Sequence, residues 1–207
     1  MDTVAPEEEQ IVLLDEDGRA VGVAPKIASH HENTPLHLAF TCYGFDRDGL
    51  FLATRRAATK KTWPGAWTNT CCGHPAPGEH LFDAVSRRLA AELGVRAARL
   101  DVVVPAVRYR ARMDNGIVEN EIGPVVRAVL HDTPAPNPDE VAGLRWLPWT
   151  AWLAEARHGT PAVAPWVAYA LDALAPLGPH PRRWPTIGTD RWMPALRETP
   201  TGRRHAS

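Results

Sequence analysis

GHPAPGEHLFDAVSRRLAAELGV, residues 73–95, carries a Gly- and Pro-rich loop into an amphipathic helix. Leu81, Ala84, Val85, Leu89 and Leu93 recur at the spacing of one helical face. Residues 80–93 are therefore expected to form a helix that buries that face. Gly94 follows, a natural stop because it tolerates the left-handed conformation that ends many helices. The remaining residues keep a frame of their own: Gly73, five residues, Glu79, seven residues, Arg87, then Leu89, Glu92, Gly94 and Val95. An ordinary amphipathic helix explains the apolar face and leaves this frame unexplained. Arg88 precedes Glu92 by four residues, so a cation and a carboxylate share one side of the helix.

Strand signals surround this unit. Residues 11–14 and 20–23 flank Asp15-Glu16-Asp17-Gly18, and residues 36–45 and 50–54 flank Asp46-Arg47-Asp48-Gly49. Both read as hairpins. Residues 68–72 form a short strand or extended segment entering Gly73. Two long β-type runs, 100–112 and 117–130, are separated by Asp114-Asn115-Gly116, a strong hairpin signal. A strand is expected at 141–147, with helices at 150–157 and 165–174. The fold class is α+β, with mixed sheets and few helices. From Pro176 onward Pro and Arg dominate and periodicity disappears. The expected organisation is an N-terminal segment with the first hairpin (1–25), a core (26–176), and a flexible or loosely docked tail (177–207).

A chain of 207 residues, 44% of them hydrophobic, suits one domain with a normal core. Its formal net charge of −1 creates no general field for polyanions, so nucleic acid is not an expected partner. Phosphate binding would need a local cluster of bases. No apolar run is long enough to cross a bilayer. Residues 1–10 are acidic and lack the basic-then-apolar order of a secretion signal. Cys42, Cys71 and Cys72 are odd in number, two of them adjacent, which makes a poor disulfide framework. Reduced thiols and a cytoplasmic location fit better. A monomer is compatible with this composition.

Two further clusters could carry chemistry. His30 and His37 precede a strand, Cys72 and His74 are two apart, and Glu119 and Glu121 alternate within a strand-like run. The two carboxylates would face the same side. Imidazole and carboxylate together suit Mn²⁺, Zn²⁺ or Mg²⁺. Spacing alone also describes surface histidines beside a solvated glutamate pair. Arg55, Arg56, Lys60 and Lys61 form a basic run, with Lys26 upstream. Such a run can be a solvated face or a phosphate site.

The combination resembles type 1 isopentenyl-diphosphate isomerase, a branch of the Nudix superfamily. The resemblance runs through His37-Leu38-Ala39-Phe40, Thr54-Arg55-Arg56 with Lys60-Lys61, Trp63-Pro64-Gly65 and Trp67-Thr68-Asn69. It continues through Cys72-Gly73-His74-Pro75, Glu92-Leu93-Gly94-Val95, Tyr109-Arg110-Ala111, Val118-Glu119-Asn120-Glu121 and Pro165-Trp166. The frame in residues 73–95 is that of the Nudix box, which handles diphosphates through bound metal. Arg88 and Ala91 stand where the hydrolases of the superfamily carry glutamates. The site should therefore bind a diphosphate and be poor at attacking it.

The resemblance implies a Nudix-like fold of mixed sheets flanked by helices, and an isomerase moving the double bond of isopentenyl diphosphate to give dimethylallyl diphosphate. It implies that His30, His37, His74, Glu119 and Glu121 hold one divalent ion, Mn²⁺, Mg²⁺ or Zn²⁺. His31 competes with His30 for the first place, and the spacing to His37 favours His30. Glu92 would help hold a Mg²⁺ carried in with the diphosphate, near the backbone carbonyl of Cys72. Lys26, Arg56, Lys60 and Arg88 would contact the diphosphate. Cys72 and Glu121 would be the catalytic pair. Tyr109 would support Glu121, and Trp166 would line the hydrocarbon pocket. Glu121 would deliver the proton and Cys72 remove one. Two rivals remain: a Nudix diphosphohydrolase, which Arg88 and Ala91 oppose, and a non-catalytic diphosphate-binding module, which the joint presence of Cys72, Glu121 and Tyr109 opposes.

Overall fold

A computed structural model describes residues 9–159 and 162–197. Its centre is a mixed sheet built from β1 (Gln10–Leu14), β2 (Ala20–Pro25), β3 (His37–Leu38), β4 (Phe40–Phe45), β5 (Phe51–Arg56), β6 (Trp67–Thr68), β7 (Cys71–Gly73), β8 (Ala97–Arg112), β9 (Val118–Leu130) and β10 (Val141–Leu147). The order is β10-β5-β4-β9-β3-β1-β2, with β6 on β5, β7 on β4 and β8 on β9. The helices are α1 (Lys26–Ser29), α2 (Leu81–Leu93), α3 (Trp149–His158), α4 (Pro165–Leu174) and α5 (Pro194–Arg197).

Alternation along the strands makes two cores. Phe40, Cys42, Leu52 and Val126 pack with Leu81, Val85 and Leu89 of α2. Tyr43, Phe45, Phe51, Ala53 and Val125 pack with Trp149, Trp152, Trp166 and Leu171 of α3 and α4. Period-two side chains of a strand point to opposite faces, so helices can cover both sides. Helix α2 forms where the apolar spacing predicts it, and the whole expected face is buried. Gly94 ends it at φ 64°, its N–H bonded to the Ala90 carbonyl.

The long β8–β9 hairpin, β10, α3 and α4 match the sequence reading. Residues 36–45 differ: the run breaks at Ala39 into two short strands, both parallel to β9. At that break Ala39 crowds Gly123, where a Cβ would sit 1.7 Å from the Ala39 carbonyl oxygen. Only glycine allows this approach. The β4–β5 hairpin is reduced to one pair, Phe45 with Phe51, because β5 turns to β10 and β6. The first hairpin is continuous with the sheet, since Leu13 pairs with His37.

The tail requires a correction. Residues 178–197 are not loosely docked. Trp184 is buried in one core, and Trp192, Met193 and Leu196 in the other. Arg127 donates to the carbonyls of Pro181 (2.6 Å) and Trp184 (3.2 Å), and pairs with Asp101 at 2.6 Å. The strap is made of short 3-10 turns, extended links and the single-turn helix α5, so its apolar residues show no sustained helical or strand period. Residues 198–207 lie outside the described residues.

Candidate active site

Strand register places three side chains in one row. His37 on β3 and Tyr109 on β8 each stand directly opposite Glu121 on β9. Tyr109 Oη donates to Glu121 Oε2 at 2.6 Å. Glu121 Oε1 lies 3.0 Å from His74 Nε2 and 3.5 Å from His37 Nε2. His30, just after α1, brings Nε2 to 3.3 Å from Glu119 Oε2. Ligand atoms of His30, His37, His74 and Glu121 all lie within 4.8 Å of one another. His31 turns away, its Nδ1 accepting from the Asn33 N–H.

This donor set fits a divalent cation. His30 Nδ1 lies 2.6 Å from the Lys26 carbonyl and His37 Nδ1 2.9 Å from that of Pro35. A carbonyl only accepts, so both Nδ1 atoms carry hydrogen and leave Nε2 lone pairs facing the cluster. His37 and His74 bring Nε2 atoms within 3.2 Å of each other, a contact that a shared cation would stabilise. Glu119 Oε2 is buried without a hydrogen-bond partner. Burial lowers the basicity of His74. Burial also opposes the charge on Glu121, but His37 and His74 outweigh it and hold that carboxyl well below its usual range. At His30 burial disfavours protonation, yet Glu119 beside it raises the net value.

A cavity of about 460 Å³ opens beside the cluster. Its walls include His30, His74, Glu119, Glu121, Cys72, Tyr109 and Trp166, together with Lys26, Arg56, Lys60, Arg88 and Glu92. Every expected site residue except His37 therefore lines one cavity; His37 is fully buried behind it. Burial pushes the Cys72 thiol up to about 12; a hydrogen bond with Asn69 works against this and the charge of Glu121 adds to it.

The cations are held by carboxylates and carbonyls. Lys26 Nζ pairs with Glu9 at 2.6 Å and Lys60 Nζ with Glu140 at 2.5 Å. Arg88 pairs with Glu92 at 2.6 Å and reaches Glu140 at 3.4 Å. Arg56 donates to the Thr62 carbonyl at 2.9 Å, and its guanidinium lies 5.2 Å from the Trp166 ring centroid. Trp63 packs edge-on to Trp166 at 5.6 Å. It is the one non-glycine residue at positive φ (42°) among the described residues, a strained backbone for a bulky side chain.

The frame around α2 now has a physical account. Arg87 makes a two-pronged pair with Glu79 (2.8 and 2.7 Å) and donates to the His74 carbonyl at 3.2 Å. Glu79 also accepts from the Ala76 N–H. The loop bearing Cys72-Gly73-His74 is thereby fastened to the helix. At Gly73 a Cβ would come within 2.8 Å of the Arg88 side chain.

The NUDIX domain model matches residues 35–167. The isopentenyl-diphosphate Delta-isomerase of Saccharopolyspora erythraea is 52% identical over 177 residues, covering 86% of this chain and 91% of that one. Its counterpart from Mycolicibacterium vanbaalenii is 52% identical over 170 residues, 82% of this chain and 93% of that one. The chain belongs to the isopentenyl-diphosphate Delta-isomerase family of Nudix proteins. Among solved structures, the Deinococcus radiodurans protein DR0079 superposes with a TM-score of 0.59 at 20% identity, over 80% of this chain and 99% of that one. The MutT protein from Methanosarcina mazei gives 0.55 at 20% identity, over 69% and 92%. These two share the fold.

Within this Delta-isomerase family chain, sequence reasoning missed several cavity residues. Glu9 and Glu140 line the cavity and neutralise its cations, but each lies far in sequence from its partner. Asn69 was legible as part of Trp67-Thr68-Asn69 without any role. The Nudix positions altered here also separate: Arg88 faces the cavity, whereas Ala91 is exposed.

Proposed function

We propose that this chain interconverts isopentenyl and dimethylallyl diphosphate, supplying isoprenoid precursors. One observation carries the reading: Cys72 and Glu121, from different strands, line a single cavity that also presents Lys26, Arg56, Lys60 and Arg88. An alkene is a very weak base, so its isomerisation needs an acid, a base and protection from water. The diphosphate, remote from the double bond, supplies binding energy for positioning. It would take the place of Glu9 and Glu140 as the partner of Lys26, Lys60 and Arg88.

His30, His37, His74, Glu119 and Glu121 would hold one divalent ion, Mn²⁺, Mg²⁺ or Zn²⁺, and Glu92 with the Cys72 carbonyl a Mg²⁺ arriving with the diphosphate. Such ions supply fixed positive charge, orienting Glu121 and neutralising the diphosphate. Glu121, hydrogen-bonded to Tyr109, serves the terminal carbon C4. Cys72 serves C2, next to the oxygen-bearing carbon. Towards the dimethylallyl isomer Glu121 gives and Cys72 takes; in reverse the roles exchange. Trp166 offers its ring to the positive charge developing at C3, a contact worth about 0.5–2 kcal/mol. The free thiols suit a reducing compartment, and the cytoplasm is the proposed location.

Incubation with isopentenyl diphosphate and Mg²⁺, followed by proton NMR, should reveal the dimethylallyl isomer. Release of phosphate from nucleotide diphosphates without isomerisation would establish the hydrolase instead. Tight binding without product would leave a binding module.

A further inference from the structure

Asn69 is fully buried between β6 and β7 and contacts both Cys72 and Trp166, two residues that line the cavity. Its amide orientation follows from its neighbours. Nδ2 faces the carbonyls of Cys42 (3.0 Å) and Cys71 (2.6 Å), which only accept. Oδ1 faces Trp166 Nε1 at 3.1 Å, which only donates, and receives the Thr68 hydroxyl at 2.8 Å. Exchanging oxygen and nitrogen would break these contacts, so the assignment is unambiguous. Thr68 Oγ1 accepts from the same indole N–H at 2.9 Å, closing a ring of hydrogen bonds. With both ends pinned, the amide presents Nδ2 at 3.2 Å and Oδ1 at 3.3 Å to Cys72 Sγ.

We infer that Asn69 is a positioning residue: its single amide fixes the Cys72 thiol and the Trp166 indole relative to each other and hence to the reacting carbons. The inference rests on the isomerase reading. Two carbonyl bonds alone would make Asn69 a structural filler at the end of a short strand. The contacts to Cys72 and Trp166 go beyond that, because they join the residue serving C2 to the ring facing C3. Both side chains belong to elements far apart in sequence, and no backbone pairing links α4 to β7.

The consequence can be followed atom by atom. Addition of a proton at C4 leaves positive charge at C3. Loss of a C2 proton to Cys72 turns that C–H pair into the new double bond. When Cys72 is displaced, the cation instead loses a proton from C4 and returns to the starting alkene. In heavy water that return leaves deuterium at C4 of recovered isopentenyl diphosphate.

Asn69→Asp and Asn69→Leu test this in the full chain with isopentenyl diphosphate, Mg²⁺ and D₂O. Circular dichroism establishes folding. The expected result is a fall in kcat of about 100-fold, the scale for misplacing a reacting group by about 1 Å. KM should change less than about twofold, since the diphosphate contacts lie elsewhere. The ratio of C4 deuteration in recovered substrate to isomer formed should rise. An unchanged or lowered ratio in a folded, active variant overturns the inference, as does a loss confined to KM. If neither variant folds, Thr68→Val, which removes one anchor of Oδ1, should raise the ratio by a smaller factor; no movement overturns the inference. A wild-type chain that forms no isomer overturns the isomerase reading itself, and this inference with it.

Discussion

Tyr109 donates its phenolic hydrogen to one oxygen of Glu121 at 2.6 Å, while the other oxygen is turned to His74 and His37. The two residues are cross-strand partners, so the hairpin fixes their distance. Burial, reinforced by the charges of Glu121 and Glu119, raises the phenol well above its ordinary range and keeps it a donor. Tyr109→Phe removes that bond without emptying the space. A hydrogen bond to a charged group contributes about 1.5–3 kcal/mol, so kcat should fall about 10–150-fold with little change in KM. Steady-state kinetics with isopentenyl diphosphate decide it. A variant with full kcat would remove Tyr109 from the proton transfer.

Cys72→Ala should lose turnover by at least about 10²-fold, the lower range for removing an acid or base. Substrate affinity, measured by calorimetry, should survive, because the cations Lys26, Lys60 and Arg88 hold their places through Glu9, Glu140 and Glu92 rather than through the thiol. Comparable turnover in the variant would exclude Cys72 from the mechanism.

Residues with a local period were legible in the sequence. The α2 face, the Asp114-Asn115-Gly116 hairpin and the strand alternation of Glu119 and Glu121 each follow from spacing within one element. The site residues were legible chiefly through resemblance, because His30, His74 and Glu121 converge only after β7 and β9 are laid beside β4. Glu140 and Lys60 are 80 positions apart and carry no mutual signal. The strap at 178–197 was misread for a related reason. Trp184 and Trp192 bury their rings from irregular backbone, where composition suggests disorder and only tertiary contacts reveal packing.

Removal of divalent ions by chelation and dialysis should abolish isomerisation and also lower the melting temperature. A ligand bound only by the folded chain stabilises it, by about 2.7 kcal/mol at a hundredfold excess over its dissociation constant. Returning Mn²⁺, Zn²⁺ or Mg²⁺ should restore both, and the relative restoration would identify the metal that suits the His/Glu cluster. Full activity in a chain shown by elemental analysis to hold no metal would exclude the metal reading.

Asp101 and Arg127 form a buried pair that also anchors the strap, since Arg127 holds the Pro181 and Trp184 carbonyls and Asp101 receives the Thr186 hydroxyl at 3.2 Å. Burial opposes the charge on Asp101, but hydrogen bonds from Arg127 and Arg99 outweigh it and lower its pKa. A carboxyl depressed in the folded state stabilises fully above its unfolded value of about 4, and this stability is lost as pH falls through the folded value. Asp101→Asn leaves Arg127 buried without its counter-charge and should cost about 3–5 kcal/mol at neutral pH. Urea unfolding followed by tryptophan fluorescence should show that deficit at pH 7. The deficit should shrink below pH of about 4, as the wild-type carboxyl gains its own proton. A difference between variant and wild type that stays constant across this range would show that the pair's charge contributes nothing to holding the strap.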